Sequence, residues 1–220
     1  MAIREHEQSV GIPMDAVIHQ GALVVPSGAK GLALFAHGSG SGRLSPRNNY
    51  VANVLRQSGV ATLLFDLLTE AEDRIYENRF DIDLLTQRLL FATQWADQEP
   101  ATQHLVIGYF GASTGAAAAL KAAAALGPDV RAVVSRGGRP DLALEDLPRV
   151  QAPTLLIVGG NDDQVIALNR KAYGALRCEK ELKIIPGATH LFEEPGTLEQ
   201  VATIAAHWFE RHLAGKRRNT

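Results

Sequence analysis

Apolar runs and amphipathic segments alternate along most of the chain. Residues 16–25 and 31–37 read as strands, with Gly28 marking the turn between them. Ser45-Pro46 supplies an N-cap and a first helical position, and Gly59 ends that helix. Residues 61–67 are another strand. Over 77–97, Ile82, Leu85, Leu89, Phe91, Ala92 and Trp95 recur at near-helical spacing. A strand over 104–110 runs into an alanine-rich helix, Ala116 to Leu126. Val130 to Ser135 and Thr154 to Val158 are strands, followed by a helix over 165–175 and a strand over 181–185. The last helix opens on Thr197-x-x-Gln200, a capping-box pattern, and its apolar face is Leu198, Val201, Ala205, Trp208 and Phe209. This order predicts an α/β fold, with a mainly parallel sheet and helices on both faces.

Size and composition narrow the class. The 220 residues suit one α/β domain over 1–220, with 1–14 as an N-terminal extension and 214–220 as a disordered tail. Apolar residues make up 46%, enough for a buried core. The 20 glycines and 10 prolines are scattered, so no linker, repeat or low-complexity tract is expected. A net charge of −2 gives no reason to expect nucleic acid or an anionic membrane as partner. Cys178 is the single cysteine, so no internal disulfide can form. With no signal-peptide pattern and no long apolar stretch, a cytoplasmic protein is expected, as monomer or homodimer.

The chemistry concentrates at Gly111-Ala112-Ser113-Thr114-Gly115. A strand precedes it and a helix follows, which is the setting a nucleophile elbow requires. That turn strains the serine backbone by roughly 1–3 kcal/mol and needs small neighbours. A serine hydroxyl reacts only when a base takes its proton, and histidine suits that task near neutral pH. In this arrangement the order along the chain is Ser, then acid, then His. Asp162 and Asp163 follow the strand 154–158, and either could be the acid or merely cap the next helix. His190 lies in the loop after the strand 181–185. Of the other histidines, His6 and His19 lie before the catalytic edge and His104 starts a strand at the wrong end. His207 and His212 read as solvated, and His37 has a structural role instead.

Strand 31–37 runs into His37-Gly38-Ser39-Gly40-Ser41-Gly42-Arg43. Such a loop can turn backbone N–H groups toward a developing oxyanion. The expected donors are the amides of Ser39 and Thr114. The same loop supports a rival reading: Gly38-x-Gly40 between strand and helix, with Asp66 ending the next strand, partly mimics a dinucleotide fingerprint. Arg43 stands where its third glycine should be. A nicotinamide-binding oxidoreductase is therefore the minor alternative, beside a catalytically silent binding module.

Together the motifs resemble the α/β-hydrolase superfamily, and within it the dienelactone hydrolase group, over about residues 15–213. They are F-A-H-G-S-G-S-G-R (35–43), G-Y-F-G-A-S-T-G (108–115), S-R-G-G-R-P-D-L-A (135–143), L-L-I-V-G-G-N-D (155–162) and G-A-T-H-L-F-E-E-P-G (187–196). The chain is especially similar to the hydrolase domains fused to some bacterial phosphoribosyltransferases. The resemblance implies Ser113 as nucleophile, Asp162 as acid and His190 as base, with Ser39 and Thr114 at the oxyanion hole. It departs at two places: dienelactone hydrolases carry a cysteine nucleophile, and a glutamate where this chain has Ala36-His37-Gly38. General hydrolysis of small carboxylic esters or thioesters is the expectation, with no metal and no cofactor. Ser135 leads straight through Arg136-Gly137-Gly138-Arg139-Pro140 into a short helix, which leaves no room for a cap domain. Arg136 and Arg139 are candidates to hold a substrate carboxylate, against simple pairing with acids such as Asp141. The stretch Asp66 to Phe80 is expected to form a partial wall, with Arg74, Tyr76 and Phe80 as candidate lining.

Overall fold

The computed structural model describes residues 7–215. Its strands are β1 (Glu7–Met14), β2 (Val17–Val24), β3 (Gly31–Ala36), β4 (Ala61–Phe65), β5 (Val106–Ala112), β6 (Val130–Arg136), β7 (Thr154–Gly159) and β8 (Lys180–Ile185). They form one sheet in the order β1-β2-β4-β3-β5-β6-β7-β8. β1 pairs antiparallel with β2, and β2 antiparallel with β4. The other pairings are parallel. Six helices accompany the sheet: α1 (Pro46–Gln57), α2 (Glu70–Asp73), α3 (Ile82–Gln98), α4 (Thr114–Leu126), α5 (Asp163–Ala175) and α6 (Thr197–His212).

Every residue of β3, β4, β5 and β7 is buried, because helices cover both faces. Successive side chains point to opposite faces. Leu32, Leu34 and Ala36 thus join the core under α3 and α4, while Ala33 and Phe35 join the core under α1 and α6. Since the six strands from β4 and β3 through β8 are mutually parallel, their C-terminal ends share one edge, where ligands bind in open α/β sheets. Between β6 and β7 lie two short 3₁₀ turns, Pro140–Ala143 and Leu147–Arg149, and no cap domain occurs among the described residues. No described helix is long and apolar enough to cross a membrane.

Several elements differ from expectation. Residues 7–14, expected as an extension, form the edge strand β1, with Val10, Ile12 and Met14 facing inward. Gly11 and Pro13 disguise it, and Pro13 is tolerated because an edge strand leaves unpaired N–H positions. The helix expected from residue 77 begins at Ile82, where Asp81 caps it by accepting from Leu84 N at 3.0 Å. Ahead of it lie α2 and a 3₁₀ turn, Tyr76–Phe80. The expected capping box at Thr197 is not formed. Gly196 is the N-cap, and Thr197 Oγ1 donates backward to Glu194 O at 2.7 Å. Of the expected tail, Ala214 and Gly215 carry no helix or strand, and 216–220 lie outside the described residues, as does His6.

Candidate active site

β5 delivers Ser113 at its C-terminal end with φ 51° and ψ −122°. Local crowding explains why the sequence is glycine-rich here. A Cβ on Gly111 would lie 2.5 Å from Ala116 Cα, and one on Gly115 would lie 2.1 Å from Ala36 O. Only glycine lets α4 approach the sheet so closely. The strained serine is pinned by its neighbours. Its N–H donates to Arg136 O at 3.3 Å, and its C=O accepts from Arg139 N at 3.0 Å and Ala116 N at 3.1 Å.

Asp162 follows β7, and its side chain makes no cap hydrogen bond to α5. Its Oδ2 instead meets His190 Nδ1 at 2.7 Å. Asp163 is the first helical residue of α5, and of the two acids it is Asp162 that meets His190. A carboxylate at Nδ1 holds the proton on that nitrogen and leaves the Nε2 lone pair free to act as base. The two loops are tied together: Asn161 N donates to Ala188 O at 2.9 Å and Asn161 Nδ2 to Gly187 O at 3.0 Å. Glu194 accepts from Thr189 Oγ1 at 2.6 Å and Thr189 N at 3.1 Å, and these bonds hold its carboxyl below the usual range. Buried Phe192, at φ 55°, completes the His190 loop.

Ser113 and His190 each touch the 136–139 turn. Ser113 bonds both Arg136 and Arg139, and a Cβ on Gly137 would lie 3.6 Å from His190 Cε1. No hydrogen bond joins Ser113 Oγ to His190 Nε2 among the described residues. Such contacts commonly tighten only when substrate binds.

Opposite the imidazole, the loop after β3 passes close to the elbow. A Cβ on Gly38 would lie 2.9 Å from Ser113 Cβ. Ser39 and Thr114 line a small cavity together with His37, Gly38, Leu68 and Arg79. His37 Nε2 accepts from Leu67 N at 2.9 Å, so Nδ1 carries the proton that bonds Gly38 O at 3.0 Å. Burial pushes its pKa down and keeps it neutral. Asp66 is occupied: it accepts from Arg43 N at 2.8 Å and pairs with the Arg43 guanidinium. Asp66, which suggested a dinucleotide site, therefore serves to fold the loop.

The remaining candidates separate. Arg139 forms a two-point bond to Asp141, at 2.9 and 2.8 Å, and so follows the simple pairing alternative. Arg136 is buried and has no partner among the described residues. In the wall, Arg74 pairs with Glu70 on the surface, and Tyr76 and Phe80 stack on each other while exposed. Arg79, missed from sequence, reaches the cavity instead and bonds Asp73 at 2.9 and 2.7 Å. No periodicity distinguishes Arg79 from Arg74, because neither sits in a regular helix. His19, buried in β2, bonds Asp66 O at 2.8 Å. His212 is not solvated as expected; it packs on Trp208 at 4.5 Å between ring centroids.

A model of the dienelactone hydrolase family matches residues 61–214. The chain belongs to the dienelactone hydrolase family. This family member is 57% identical to the dienelactone hydrolase of Anabaena variabilis ATCC 29413, over 96% of this chain and 99% of that one, with a TM-score of 0.93. It is also 56% identical over 209 residues to two Mycobacterium tuberculosis proteins named as phosphoribosyl transferases. The match takes in 95% of this family member but 47% of each of those proteins, so the chain spans about half their length. Est1E from Butyrivibrio proteoclasticus, at 16% identity and a TM-score of 0.78, shares the α/β-hydrolase fold over 94% of this chain and 99% of its own. The family is one of hydrolases.

Proposed function

We propose that this chain is a serine hydrolase cleaving small carboxylic esters or thioesters through an acyl-enzyme. His190 Nε2 takes the proton of Ser113 Oγ as that oxygen attacks the carbonyl carbon. The amides of Ser39 and Thr114 receive the negative oxygen of the tetrahedral intermediate; losing one such donor typically costs ~3 kcal/mol. His190 then passes its proton to the leaving alcohol or thiol, and the acyl group stays on Ser113. Water attacks next, giving its proton to His190, which returns it to Ser113 as the acid departs. Asp162 fixes the imidazole tautomer and stabilises its charged form without accepting the proton.

The observation that best supports this reading is the 2.7 Å bond from His190 Nδ1 to Asp162, at the sheet edge that also presents the strained Ser113. The dienelactone reaction itself is not proposed, because the nucleophile is serine rather than cysteine. Transferase activity is not proposed either, because that name belongs to proteins twice as long. Purified Ser113→Ala should fold with an unchanged circular dichroism spectrum. Its kcat on p-nitrophenyl acetate should fall by about 10⁶-fold, and labelling by a fluorophosphonate should disappear. Full turnover by that variant would refute the mechanism.

A further inference from the structure

Thr114 opens α4 directly after Ser113, and the proposed mechanism gives its backbone amide to the oxyanion. Its side chain has no part in that mechanism. Thr114 is 2% exposed, and its Oγ1 is shut off from solvent with no hydrogen-bond partner among the described residues. A threonine inside a helix commonly turns its hydroxyl back to a carbonyl of the preceding turn. Thr86 and Thr93 on α3 do so, donating to Ile82 O at 2.6 Å and Leu89 O at 2.8 Å. Thr114 is the first residue of its helix, and the residues one turn before it, Phe110 and Gly111, belong to β5. The elbow therefore removes the ordinary partner. An unpaired buried hydroxyl costs about 1–3 kcal/mol, and valine has the same shape without that cost.

The surroundings of Thr114 say what would pair with it. It lines the small cavity shared with Ser39, whose amide is the other proposed oxyanion donor. That cavity has room for about one water-sized group. Leu68 and Leu85 give it apolar walls. Arg79, also on the wall, is tied through Nε and Nη2 to both carboxylate oxygens of Asp73, at 2.9 and 2.7 Å. The two charges offset each other and His37 is kept neutral by burial, so the cavity has no net charge to draw an anion. Its occupant is small, polar and uncharged. We propose that Thr114 Oγ1 seats an oxygen on the carbon next to the ester carbonyl, which makes short 2-hydroxyacyl esters the preferred substrates. The amide nitrogen and Oγ1 of one threonine are separated by as many bonds as a carbonyl oxygen and a hydroxyl on the adjoining carbon. One residue can therefore hold both oxygens side by side, the carbonyl oxygen on its N–H and the second oxygen on its hydroxyl. The inference names the substrate class of the serine-hydrolase reading and rests on it.

Phenyl glycolate and phenyl propionate test it, because they differ only in a hydroxyl against a methyl. The ratio of their kcat/KM values, glycolate over propionate, should fall about tenfold from wild type to Thr114→Val. Thr114→Ser keeps the hydroxyl and should keep the ratio within about twofold of the wild type. Intrinsic ester reactivity cancels, since every protein meets the same two compounds. A variant that loses activity on both esters equally would give the side chain a structural part alone and overturn the seat. A second comparison needs no variant and decides the matter should Thr114→Val not fold. Phenyl methoxyacetate carries the same oxygen without its hydrogen and with an added methyl. The wild-type preference for glycolate over methoxyacetate should exceed the ratio of their hydroxide-catalysed rates by about tenfold. A preference no larger than hydroxide's would overturn the seat and leave ester hydrolysis standing, as would an unchanged glycolate-to-propionate ratio in Thr114→Val. If the wild type cleaved none of these esters, the hydrolase reading would fall, and this inference with it.

Discussion

His37 commits both ring nitrogens to backbone, one accepting from Leu67 N and the other donating to Gly38 O. Protonating Nε2 would set two donors against each other and release the loop that carries Ser39. Because burial lowers its folded pKa below the ordinary value near 6.5, the unfolded chain takes up the proton first as pH falls. The stability His37 provides is therefore complete above about pH 6.5 and is lost as pH drops toward its folded pKa. Thermal unfolding measured at steps from pH 8 to pH 5 should show Tm falling on the acid side, and His37→Gln should flatten that fall. His212, also lowered by burial, leaves a residual slope of the same sign. Identical pH profiles in both proteins would refute this role. At this scale the sequence singles out a candidate where a residue's chemistry is singular. Ser113 and His190 stood out by motif and position. Asp162 was preferred to Asp163 through the family resemblance rather than residue type, because cap and acid use the same side chain and the turn geometry that frees Asp162 from capping is not written in it.

Among the elements, the wall beside the site depends most on one side chain. Arg88, buried on α3, donates to Asp15 in the β1–β2 turn and to Glu72 of α2, each at 2.7 Å. Glu72 also completes a capping box with Thr69, and those bonds together hold its carboxyl low despite burial. α2 spans four residues, too short to persist unaided. Removing the anchor with Arg88→Ala should therefore loosen residues 66–80 before anything else. Amide exchange in that segment should speed up by about ten- to a hundredfold, the value of one or two charged hydrogen bonds, while β5 keeps its protection. Uniform acceleration across the sheet would show that Arg88 supports the whole fold instead. The wall was the least legible element. Its anchor, Arg88 of α3, meets Asp15 in the β1–β2 turn and Glu72 of α2, 73 and 16 residues away along the chain, and no local pattern encodes those contacts. The parallel strands were legible because burial on both faces writes continuous apolar runs.

For the molecule as a whole, β1 shows how an edge can matter as much as the centre. Val10, Ile12 and Met14 are buried from a segment expected only as an N-terminal extension of the domain. Burying each stabilises the fold by roughly 1.5–3 kcal/mol, and a domain's total stability is only about 5–15 kcal/mol. Deleting residues 1–15 should lower Tm by roughly 10 °C or more, read by differential scanning calorimetry. A truncated chain melting with the intact one would make β1 dispensable. The succession of the other strands along the chain, and the short link after β6 that leaves no cap among the described residues, were readable from spacing. The antiparallel start was not, since Gly11 and Pro13, at the exposed positions of its alternation, are poor strand formers.

On the proposed mechanism, turnover needs Ser113, Asp162 and His190 together, and these follow three different strands, the last two lying 28 residues apart. No fragment of the chain holds them all in register. A partly refolded or nicked molecule should thus score nothing rather than a fraction, which makes turnover a counting device for fully native copies in any preparation.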